Sequence, residues 1–403
     1  MIQVAVLGYG TVGSGVVEVI EKNKDMVDKK AGDELSVKYI LDLRDFPGDP
    51  YENKVVHDFG QIIGDEEIKI ICETMGGVGA AYEFTRQALA AGKSVCTSNK
   101  ELVAAHGPEL IALAKENKCN YLFEASVGGG IPIIRPLNYS LTAERIEAIT
   151  GILNGTTNYI LSKMENEGAD FDVVLKRAQE KGYAERNPEA DVEGYDACRK
   201  IAILSSLMLG KNVDYKKIYT EGITRITSRD FAYAKEMKMS IKLLALSKEI
   251  GEETLAMVAP FMIEETHPLH MVNGVFNAVF VKGNMLGDSM YYGRGAGKLP
   301  TASAVVSDVI DCARHLGKVI MCFWDAQEAR MMCIDEVERK FFFRAKAGSE
   351  EKVRTLFGQI EEIKLPGVAE ETGFVTRIMK EKEFAGLYGQ ISDVVLGERI
   401  RLE

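Results

Sequence analysis

An acidic loop that leads into an apolar helix holds the residues best suited to chemistry. Residues 182–200 read GYAERNPEADVEGYDACRK, and the apolar run IAILSSLML follows directly. Asp196 and Lys200 stand four residues apart, so a helix places them on one face. A lysine at the mouth of a buried helix is costly unless it is paired or used. The segment therefore predicts either a structural ion pair or a functional lysine that faces carboxylates.

A glycine motif near residue 8 predicts a dinucleotide site. Residues 2–7 read as a buried parallel strand and residues 14–20 as a helix, with GYGTVG between them. In a GxGxxG motif, Gly8 allows the tight turn, Gly10 lets the backbone approach a pyrophosphate, and Gly13 lets helix and strand pack closely. The helix N-terminus faces the anion. We therefore expect a Rossmann-type domain that binds NAD or NADP.

Two charged residues after the next strand bear on the choice of cofactor. The strand at residues 37–41 ends in Asp42, which can accept a hydrogen bond from a ribose 2′-hydroxyl and favour NAD. Arg44 can instead hold a 2′-phosphate and favour NADP. Both residues also fit an ordinary charged loop. The sequence leaves the choice between NAD and NADP open.

Two further strands end in residues that suit the ligand edge of such a sheet. The strand at residues 68–73 is followed by Thr74, and the strand at residues 94–97 by SNK, which ends in Lys100. Ligands bind at the carboxyl ends of parallel strands, so we expect Thr74 and Lys100 near the cofactor or substrate. The alternative is a helix N-cap beside a solvated lysine.

Three turn-rich segments have two interpretations each. Glu124 precedes ASVGGGIPII, where a carboxylate and exposed carbonyls suit a hard cation, although the glycines also suit an interdomain hinge. NGTTN at residues 154–158 can bind a small polar substrate or cap a helix. GRGAGK at residues 293–298 can cover the cofactor or serve as a flexible connector.

Size and composition narrow the class of protein. A chain of 403 residues predicts two or three domains, and 46% hydrophobic with 27% charged residues is typical of a soluble globular protein. We expect no membrane span and no signal peptide. The net charge of −11 argues against general nucleic-acid binding. The seven cysteines are scattered singly, without zinc spacing, which is typical of a reduced cytoplasmic protein.

Taken together, six motifs resemble homoserine dehydrogenase. They occur in the family's order over about residues 1–317 and read GYGTVG, SNKELVA, FEASVGGGIPII, GILNGTTNYIL, GYAERNPEADVEGYDACRK and YYGRGAGKLPTASAVVSDV. The resemblance implies NAD(P)-dependent interconversion of L-homoserine and L-aspartate 4-semialdehyde, in the biosynthesis of threonine, methionine and isoleucine. It also implies a homodimer or higher homo-oligomer.

The resemblance implies roles for individual residues. Lys200 becomes the proton donor and acceptor, and Lys100 lies at the nicotinamide and substrate edge. The expected substrate-binding residues are Glu185, Asp191, Asp196, Tyr183 and Thr156. The expected cofactor contacts are Gly8, Gly10, Thr11, Val12, Gly13, Asp42, Arg44, Thr74, Lys100, Gly182 and Gly297. A monovalent cation, usually sodium in the family, is implied at Glu124, Val127, Gly129 and Ile131.

We expect an α/β protein in three parts. Residues 1–130 form the NAD(P)-binding Rossmann domain, with helix 301–317 packing back on it. Residues 131–300 form an α+β catalytic and dimerisation domain. Residues 338–403 form a ferredoxin-like, ACT-like domain with regulatory or dimerisation function.

The pattern of the tail supports the last assignment. It predicts a strand at 340–345, a helix at 349–360, strands at 373–379 and 383–387, a helix at 391–396 and a strand at 399–402, the order βαββαβ. ACT domains follow the catalytic part of many homoserine dehydrogenases and can bind threonine. The family's Asp-x-Pro-Gly turn is AGSE here, so a purely dimerising role is the alternative to a threonine site.

Two other functions fit the sequence less well. An aspartate-semialdehyde dehydrogenase needs a nucleophilic cysteine with a histidine partner, and nothing around Cys119 or Cys198 offers one. A nucleotide-sensing regulator predicts a basic DNA-binding module, which the acidic composition opposes.

Overall fold

The computed structural model describes residues 1–403. Its helices are α1 (Thr11–Lys22), α2 (Lys24–Ala31), α3 (Phe59–Ile63), α4 (Gly79–Ala90), α5 (Lys100–Glu116), α6 (Gly155–Glu167), α7 (Phe171–Glu180), α8 (Glu189–Val192), α9 (Tyr195–Leu209), α10 (Ser228–Glu236), α11 (Lys298–Arg314), α12 (Glu350–Phe357) and α13 (Glu381–Gly389). No helix combines the length and the apolar character needed to cross a membrane.

Seventeen strands accompany these helices. They are β1 (Ile2–Leu7), β2 (Leu35–Leu41), β3 (Val55–Val56), β4 (Ile68–Glu73), β5 (Ser94–Thr97), β6 (Tyr121–Leu122), β7 (Ile146–Ile152), β8 (Tyr219–Thr220), β9 (Met239–Ile250), β10 (Glu253–Glu264), β11 (Phe276–Gly283), β12 (Gly287–Arg294), β13 (Glu338–Lys346), β14 (Ile360–Ile363), β15 (Glu371–Thr376), β16 (Met379–Lys380) and β17 (Ile400–Leu402).

The chain packs as two compact units. Unit 1 comprises residues 1–144, 202–215 and 291–329, and unit 2 comprises residues 145–201, 216–290 and 330–403.

Unit 1 contains a parallel sheet of six strands in the order β3-β2-β1-β4-β5-β6. Val4 and Val6 of β1 are fully buried, as the sequence pattern of a strand covered on both faces predicts. The strand order is that of the dinucleotide-binding fold, whose ligands lie at the carboxyl ends of the strands where the order reverses. The expected Rossmann-type domain is therefore confirmed.

A helix from late in the chain completes the core of unit 1. Val305 and Val309 of α11 are fully buried in the same cluster as Val16 of α1. The two helices approach closely because α1 carries Gly15, where a Cβ would lie 2.9 Å from the Cβ of Ala302. This helix begins at Lys298, three residues before the predicted start at residue 301.

Unit 2 contains a second, mixed sheet in the order β12-β11-β7-β9-β10-β17-β13-β15-β14, with β8 beside β10 and β16 beside β13. The strands β9 and β10 form a long antiparallel hairpin that closes at Ile250 and Glu253. Both strands are almost continuously buried, and such apolar runs lack the alternation that marks a half-exposed strand.

The tail of unit 2 has the order βαββαβ and a ferredoxin-like sheet. Within the sheet its fourth strand, β17, lies beside the first, β13, and its third strand, β15, separates the first from the second. β17 also pairs in parallel with β10, so the sheet of the tail continues into the rest of unit 2.

Three local predictions for the tail are wrong. The helix from residue 349 ends at Phe357, because Gly358 adopts φ +71° and the strand β14 follows. Residues 383–387, predicted as a strand, lie in α13, where Phe384, Leu387 and Tyr388 have the three- and four-residue spacing of one helix face. Residues 391–396, predicted as a helix, form turns and irregular structure.

We predict that Phe343→Ala lowers the free energy of unfolding by about 3–5 kcal/mol, because truncating a buried aromatic ring leaves a cavity. Phe343 is fully buried, and its ring contacts those of Phe357 and Phe374 at centroid distances of 5.2 and 5.4 Å. Phe323→Ala, at a residue 66% exposed, is the matched control and stays within about 0.5 kcal/mol. Equal shifts of the two variants in denaturant titrations would contradict the prediction.

Candidate active site

The glycine loop between β1 and α1 forms a close-packed turn in unit 1. Gly8 adopts φ +89°, and a Cβ on Gly13 would lie 1.8 Å from the carbonyl oxygen of Gly8. The Thr74 hydroxyl donates to the carbonyl oxygens of Leu7 and Gly8, both at 2.9 Å, which ties the loop to β4. No protein atom lies within 4 Å of a Cβ built on Gly10. The loop is thus fixed at Gly13 and open at Gly10, where a pyrophosphate can approach.

A cleft of about 530 Å³ opens beside this loop. Its lining residues are Gly8, Gly10, Leu41, Asp42, Leu43, Arg44, His57, Phe59, Thr74, Met75, Gly76, Ala80 and Phe84. The walls combine the glycine backbone with apolar side chains, and the rings of Phe59 and Phe84 stack at 4.3 Å. A cavity of this size with few polar groups suits the adenosine end of a dinucleotide.

Asp42 and Arg44 are engaged with each other on one wall of the cleft. The Asp42 carboxylate accepts from the Tyr9 backbone N–H at 2.8 Å and from Arg44 Nε and Nη2 at 2.9 and 3.0 Å. The hydrogen bonds from Arg44 hold the pKa of Asp42 well below its usual range, so the carboxylate is ionised. The Arg44 side chain is 63% exposed. The guanidinium can therefore turn from Asp42 towards a ligand, and its movement creates no cavity inside the protein.

A buried carboxyl group organises the neighbouring strand ends. Glu73, at the end of β4, accepts from the Thr97 hydroxyl at 2.5 Å and from the Met75 backbone N–H at 2.8 Å. Burial raises the pKa of Glu73 to about 7, against the effect of these hydrogen bonds. The network joins β4 to β5 just before the SNK motif.

The SNK motif forms the start of α5. The Asn99 side chain accepts from the Leu102 N–H at 3.1 Å, and its amide donates to the Gly77 carbonyl at 2.6 Å. Asn99 is therefore the helix cap that the alternative interpretation proposed. Lys100 is the first residue of the helix and lies at the carboxyl edge of the parallel sheet.

Glu124 performs a backbone role in the loop after β6. Its carboxylate accepts N–H bonds from Ile133, Ile134 and Arg135 at 2.7, 2.9 and 2.7 Å. The side chain is 3% exposed, so these three donors satisfy a charge that would otherwise be buried without partners. The carboxylate fixes the start of the next turn, and the expected cation site at Glu124 stays a prediction.

The acidic segment of unit 2 surrounds Lys200 as its spacing predicts. Lys200 Nζ lies 2.7 Å from Asp196 Oδ2 on the same helix face and donates to the Leu153 carbonyl oxygen at 2.8 Å. The Asn154 amide nitrogen donates to Asp196 Oδ2 at 3.0 Å and to Asp191 Oδ1 at 2.7 Å. One amide group thus joins the two carboxylates, of which that of Asp196 pairs with the buried Lys200.

The remaining predicted residues of the acidic segment lie around this cluster. The Thr156 hydroxyl donates to the Tyr183 carbonyl at 2.7 Å, which brings these two residues together beside Gly182, whose φ is +72°. The Glu185 side chain is exposed, and the structure does not bring its carboxylate to Lys200. Gly297, with φ +127°, belongs to unit 1 and precedes α11.

Two residues of these clusters were missed as individual candidates. Asn154 was seen only as part of a polar turn, although its position two residues after the last residue of β7 places it near a strand end. Glu73 was read as the last residue of a strand. A carboxyl group at the end of an apolar run is the one signal that could have identified it.

Comparisons with known proteins match most of this chain. The family model described as "Homoserine dehydrogenase, NAD binding domain" matches residues 8–124, and the one described as "Homoserine dehydrogenase" matches residues 132–310. A homoserine dehydrogenase of Bacillus subtilis (strain 168) is 36% identical over 423 residues, which covers 99% of this chain and 97% of the relative. The chain belongs to the homoserine dehydrogenase family.

Other homoserine dehydrogenases agree in sequence and in structure. That of Synechocystis is 47% identical over 77% of this chain and 73% of its own length. A crystal structure from Thiobacillus denitrificans has a TM-score of 0.91 at 36% identity, covering 100% of this chain and 98% of that one. A hyperthermophilic archaeal homoserine dehydrogenase in complex with NADPH has a TM-score of 0.66 at 28% identity, covering 77% and 97%.

The activity follows from the family. This homoserine dehydrogenase is an oxidoreductase with a nucleotide cofactor, and its substrates are L-homoserine and L-aspartate 4-semialdehyde. The functional expectation from the sequence is confirmed, and the semialdehyde-dehydrogenase and sensor alternatives are wrong.

We predict different effects of an alanine substitution at two glycines of the nucleotide loop. Gly10→Ala leaves the thermal unfolding temperature unchanged, since its Cβ meets no protein atom, but weakens NAD(P) binding by about tenfold or more. Gly13→Ala lowers the unfolding temperature even without cofactor, because its Cβ overlaps the Gly8 carbonyl. Differential scanning fluorimetry with and without cofactor measures both effects. Normal cofactor affinity in Gly10→Ala would show that the pyrophosphate binds elsewhere.

Proposed function

We propose that Lys200 exchanges the proton in the interconversion of L-homoserine and L-aspartate 4-semialdehyde, within threonine, methionine and isoleucine biosynthesis. The observation that supports this role is the buried cluster in which Lys200 faces Asp196 and the Leu153 carbonyl. A bound nicotinamide cofactor supplies or removes the hydride at the carbon atom. Lys200 provides a positioned ammonium that stabilises the alkoxide and protonates it, and in its neutral form it takes the proton from homoserine.

The carboxylates around Lys200 suit the substrate ammonium. The Asn154 amide holds the Asp191 and Asp196 carboxylates together, so two carboxylates face one place. We propose that they bind the ammonium of the amino acid, with the exposed Glu185 as a third carboxylate and Tyr183 and Thr156 lining the same turn. We also propose that Lys100 contacts the nicotinamide and the substrate.

The cofactor contacts proposed from the sequence remain a proposal for this chain. They comprise Gly8, Gly10, Thr11, Val12, Gly13 and Thr74 of the first loop, Asp42 and Arg44 of the cleft, and Gly182 and Gly297. We further propose that NADP is preferred. The exposed Arg44 guanidinium supports this choice, because it lies on the cleft wall and can pair with a 2′-phosphate. The NADPH complex of the archaeal relative is consistent with it.

A monovalent cation, sodium, is proposed for the loop after β6. The carbonyl oxygens of Val127, Gly129 and Ile131 accept no hydrogen bond from the protein, and such oxygens are the ligands that a hard cation prefers. Glu124 adds negative charge beside them, although its carboxylate already binds three N–H groups. A bound ion would hold these carbonyls in place and order the glycine loop.

For the tail we propose a structural role in a homodimer or higher homo-oligomer. At the turn between β13 and α12, the Glu350 carboxylate accepts from the Gly348 N–H and from the Thr372 hydroxyl, both at 2.8 Å. The Glu350 carboxylate thus occupies the hydrogen-bond donors that the carboxylate of an amino-acid effector would need. We keep the division of the chain into three domains, residues 1–130, 131–300 and 338–403, as a proposal.

We predict that Lys200→Ala lowers kcat by about 100-fold or more, since a general acid typically contributes that much, while cofactor affinity stays unchanged. Lys93→Ala is the matched control. Lys93 is also a buried lysine whose ammonium donates to main-chain carbonyls, those of Asp65 and Ile68, but it lies away from both clusters. Following the absorbance of the reduced nicotinamide with homoserine measures kcat. Wild-type turnover in Lys200→Ala would remove Lys200 from the reaction.

We predict that Arg44→Ala raises the KM for NADP by about tenfold, through loss of a charge-assisted bond, and leaves the KM for NAD unchanged. Arg86→Ala, at another exposed arginine of unit 1, is the control. Equal KM values for NADP in wild type and Arg44→Ala would refute the assignment.

We predict that threonine at millimolar concentration leaves the initial rate unchanged, because Glu350 already occupies the turn. Glu350→Gln is the comparison variant, and methionine is the control amino acid. Saturable inhibition of the wild-type protein by threonine would establish an effector site instead.

A further inference from the structure

We propose that the strand β17 of the tail positions the substrate carboxylates, with Arg401 acting through Glu221 on the loop that joins Asp191 to Asp196. The proposal deepens the proposed function and rests on the role given there to these two aspartates. Arg401 is a positioning residue, since it contacts neither aspartate itself.

Arg401 is a fully buried cation with two carboxylate partners. Its Nε and Nη2 donate to the Glu381 carboxylate at 2.5 and 3.0 Å, and its Nη1 donates to Glu221 Oε2 at 2.8 Å. The guanidinium also lies over the Tyr219 ring, 5.0 Å from its centroid. The planar fork reaches both carboxylates at once, which a lysine ammonium cannot do. Arg401 therefore links α13 of the tail to the segment that follows β8.

Glu221 gathers several donors at one oxygen atom. Besides Arg401, its Oε2 accepts from the Tyr219 hydroxyl at 2.8 Å and from Arg399 Nη2 at 3.3 Å. Burial alone would raise the pKa of Glu221, but the charges of Arg401 and Arg399 reverse this and lower it. Its backbone N–H donates to the Val258 carbonyl at 2.8 Å. Both the side chain and the backbone of Glu221 are thus held.

The next residues press directly on the acidic loop. A Cβ on Gly222 would lie 2.3 Å from the Val192 carbonyl oxygen and 2.5 Å from the Glu193 Cα. The Ile223 N–H donates to that same Val192 carbonyl at 2.8 Å, and the Thr224 hydroxyl donates to Glu193 Oε1 at 3.1 Å. Residues 221–224 and the acidic loop are in direct contact, so we expect a shift of Glu221 to move the loop.

The braced part of the loop lies between the two substrate carboxylates. Gly194 adopts φ +83°, and its Cα packs against the side chains of Thr220 and Val258. Its N–H donates to the Asp191 carbonyl at 3.0 Å, and its own carbonyl accepts from the Cys198 N–H at 2.9 Å. The turn that aims Asp191 and begins the helix of Asp196 is therefore seated on the segment that Arg401 holds.

A second buried arginine offers a matched control. Arg344 of β13 donates to Asp230 Oδ1 at 2.7 Å and to Glu371 Oε2 at 2.8 Å, and its side chain is 8% exposed. It too ties the tail to the rest of unit 2, but through α10, and its contacts include no residue of the acidic loop. Loss of either arginine fork should cost stability, and only loss of Arg401 should reach the substrate.

The test compares Arg401→Lys, Gly222→Ala and Arg344→Lys in the full-length protein. We expect Arg401→Lys and Gly222→Ala to raise the KM for homoserine by roughly fivefold, with smaller changes in kcat and an unchanged KM for the cofactor. Arg344→Lys lowers the unfolding temperature to a similar extent as Arg401→Lys and leaves all three kinetic constants unchanged. The double variant Arg401→Lys/Gly222→Ala is non-additive, because both changes act on the position of the same loop.

Two results would overturn the proposal. One is an unchanged KM for homoserine in both Arg401→Lys and Gly222→Ala, and the other is an equal rise in Arg344→Lys, which would reveal general destabilisation. If Arg401→Lys does not fold, Gly222→Ala decides alone, since it retains every ion pair. Asp191→Asn separates this proposal from the assignment on which it rests. A raised KM in Asp191→Asn with normal values in the other variants refutes only the role of Arg401, whereas a normal KM in Asp191→Asn refutes the substrate site.

Discussion

The Lys200 side chain is buried, and the ends of a strand and a helix of unit 2 hold its amino group in place. The side chain is 10% exposed and has two partners, the Asp196 carboxylate and the Leu153 carbonyl. An unpaired ammonium at this depth would cost several kcal/mol, so neither partner is dispensable. Leu153 reaches it because it directly follows the last residue of β7, and Asp196 reaches it because α9 begins one residue earlier. The ends of one strand and one helix therefore fix the position of the Lys200 ammonium.

The nucleotide loop obeys a different constraint, which is space. Gly13 is required by a contact inside the protein, whereas a Cβ on Gly10 would meet open space that a ligand can occupy. Thr74 secures the turn from the neighbouring strand, so the loop is rigid before a cofactor arrives. Such preorganisation reduces the entropy lost on binding. The Lys200 side chain of unit 2 is thus positioned by paired charges, and the nucleotide loop of unit 1 by the absence of side chains at its glycines.

Sequence patterns predicted the features that depend on local spacing. The contact of Asp196 with Lys200 follows from helical periodicity, and the Rossmann order follows from GYGTVG between a strand and a helix. The role of the Glu124 carboxylate was not predictable, because its three N–H donors lie nine to eleven residues further along. Arg401 and Glu221 are separated by 180 residues, and no local pattern can pair them. The strand misplaced in the tail shows a further limit, since a short helix such as α13 carries too few turns to reveal its period.

Chemical rescue of a Lys200→Ala variant by small primary amines tests the central claim most directly. The cavity left beside Asp196 and the Leu153 carbonyl would admit an alkylammonium ion in place of the lost side chain. The account predicts saturable recovery of turnover that varies with the pKa of the added amine, as expected for a group that transfers a proton. Binding of homoserine and cofactor to the variant with no recovery by any amine, and with residual turnover independent of amine pKa, would contradict it.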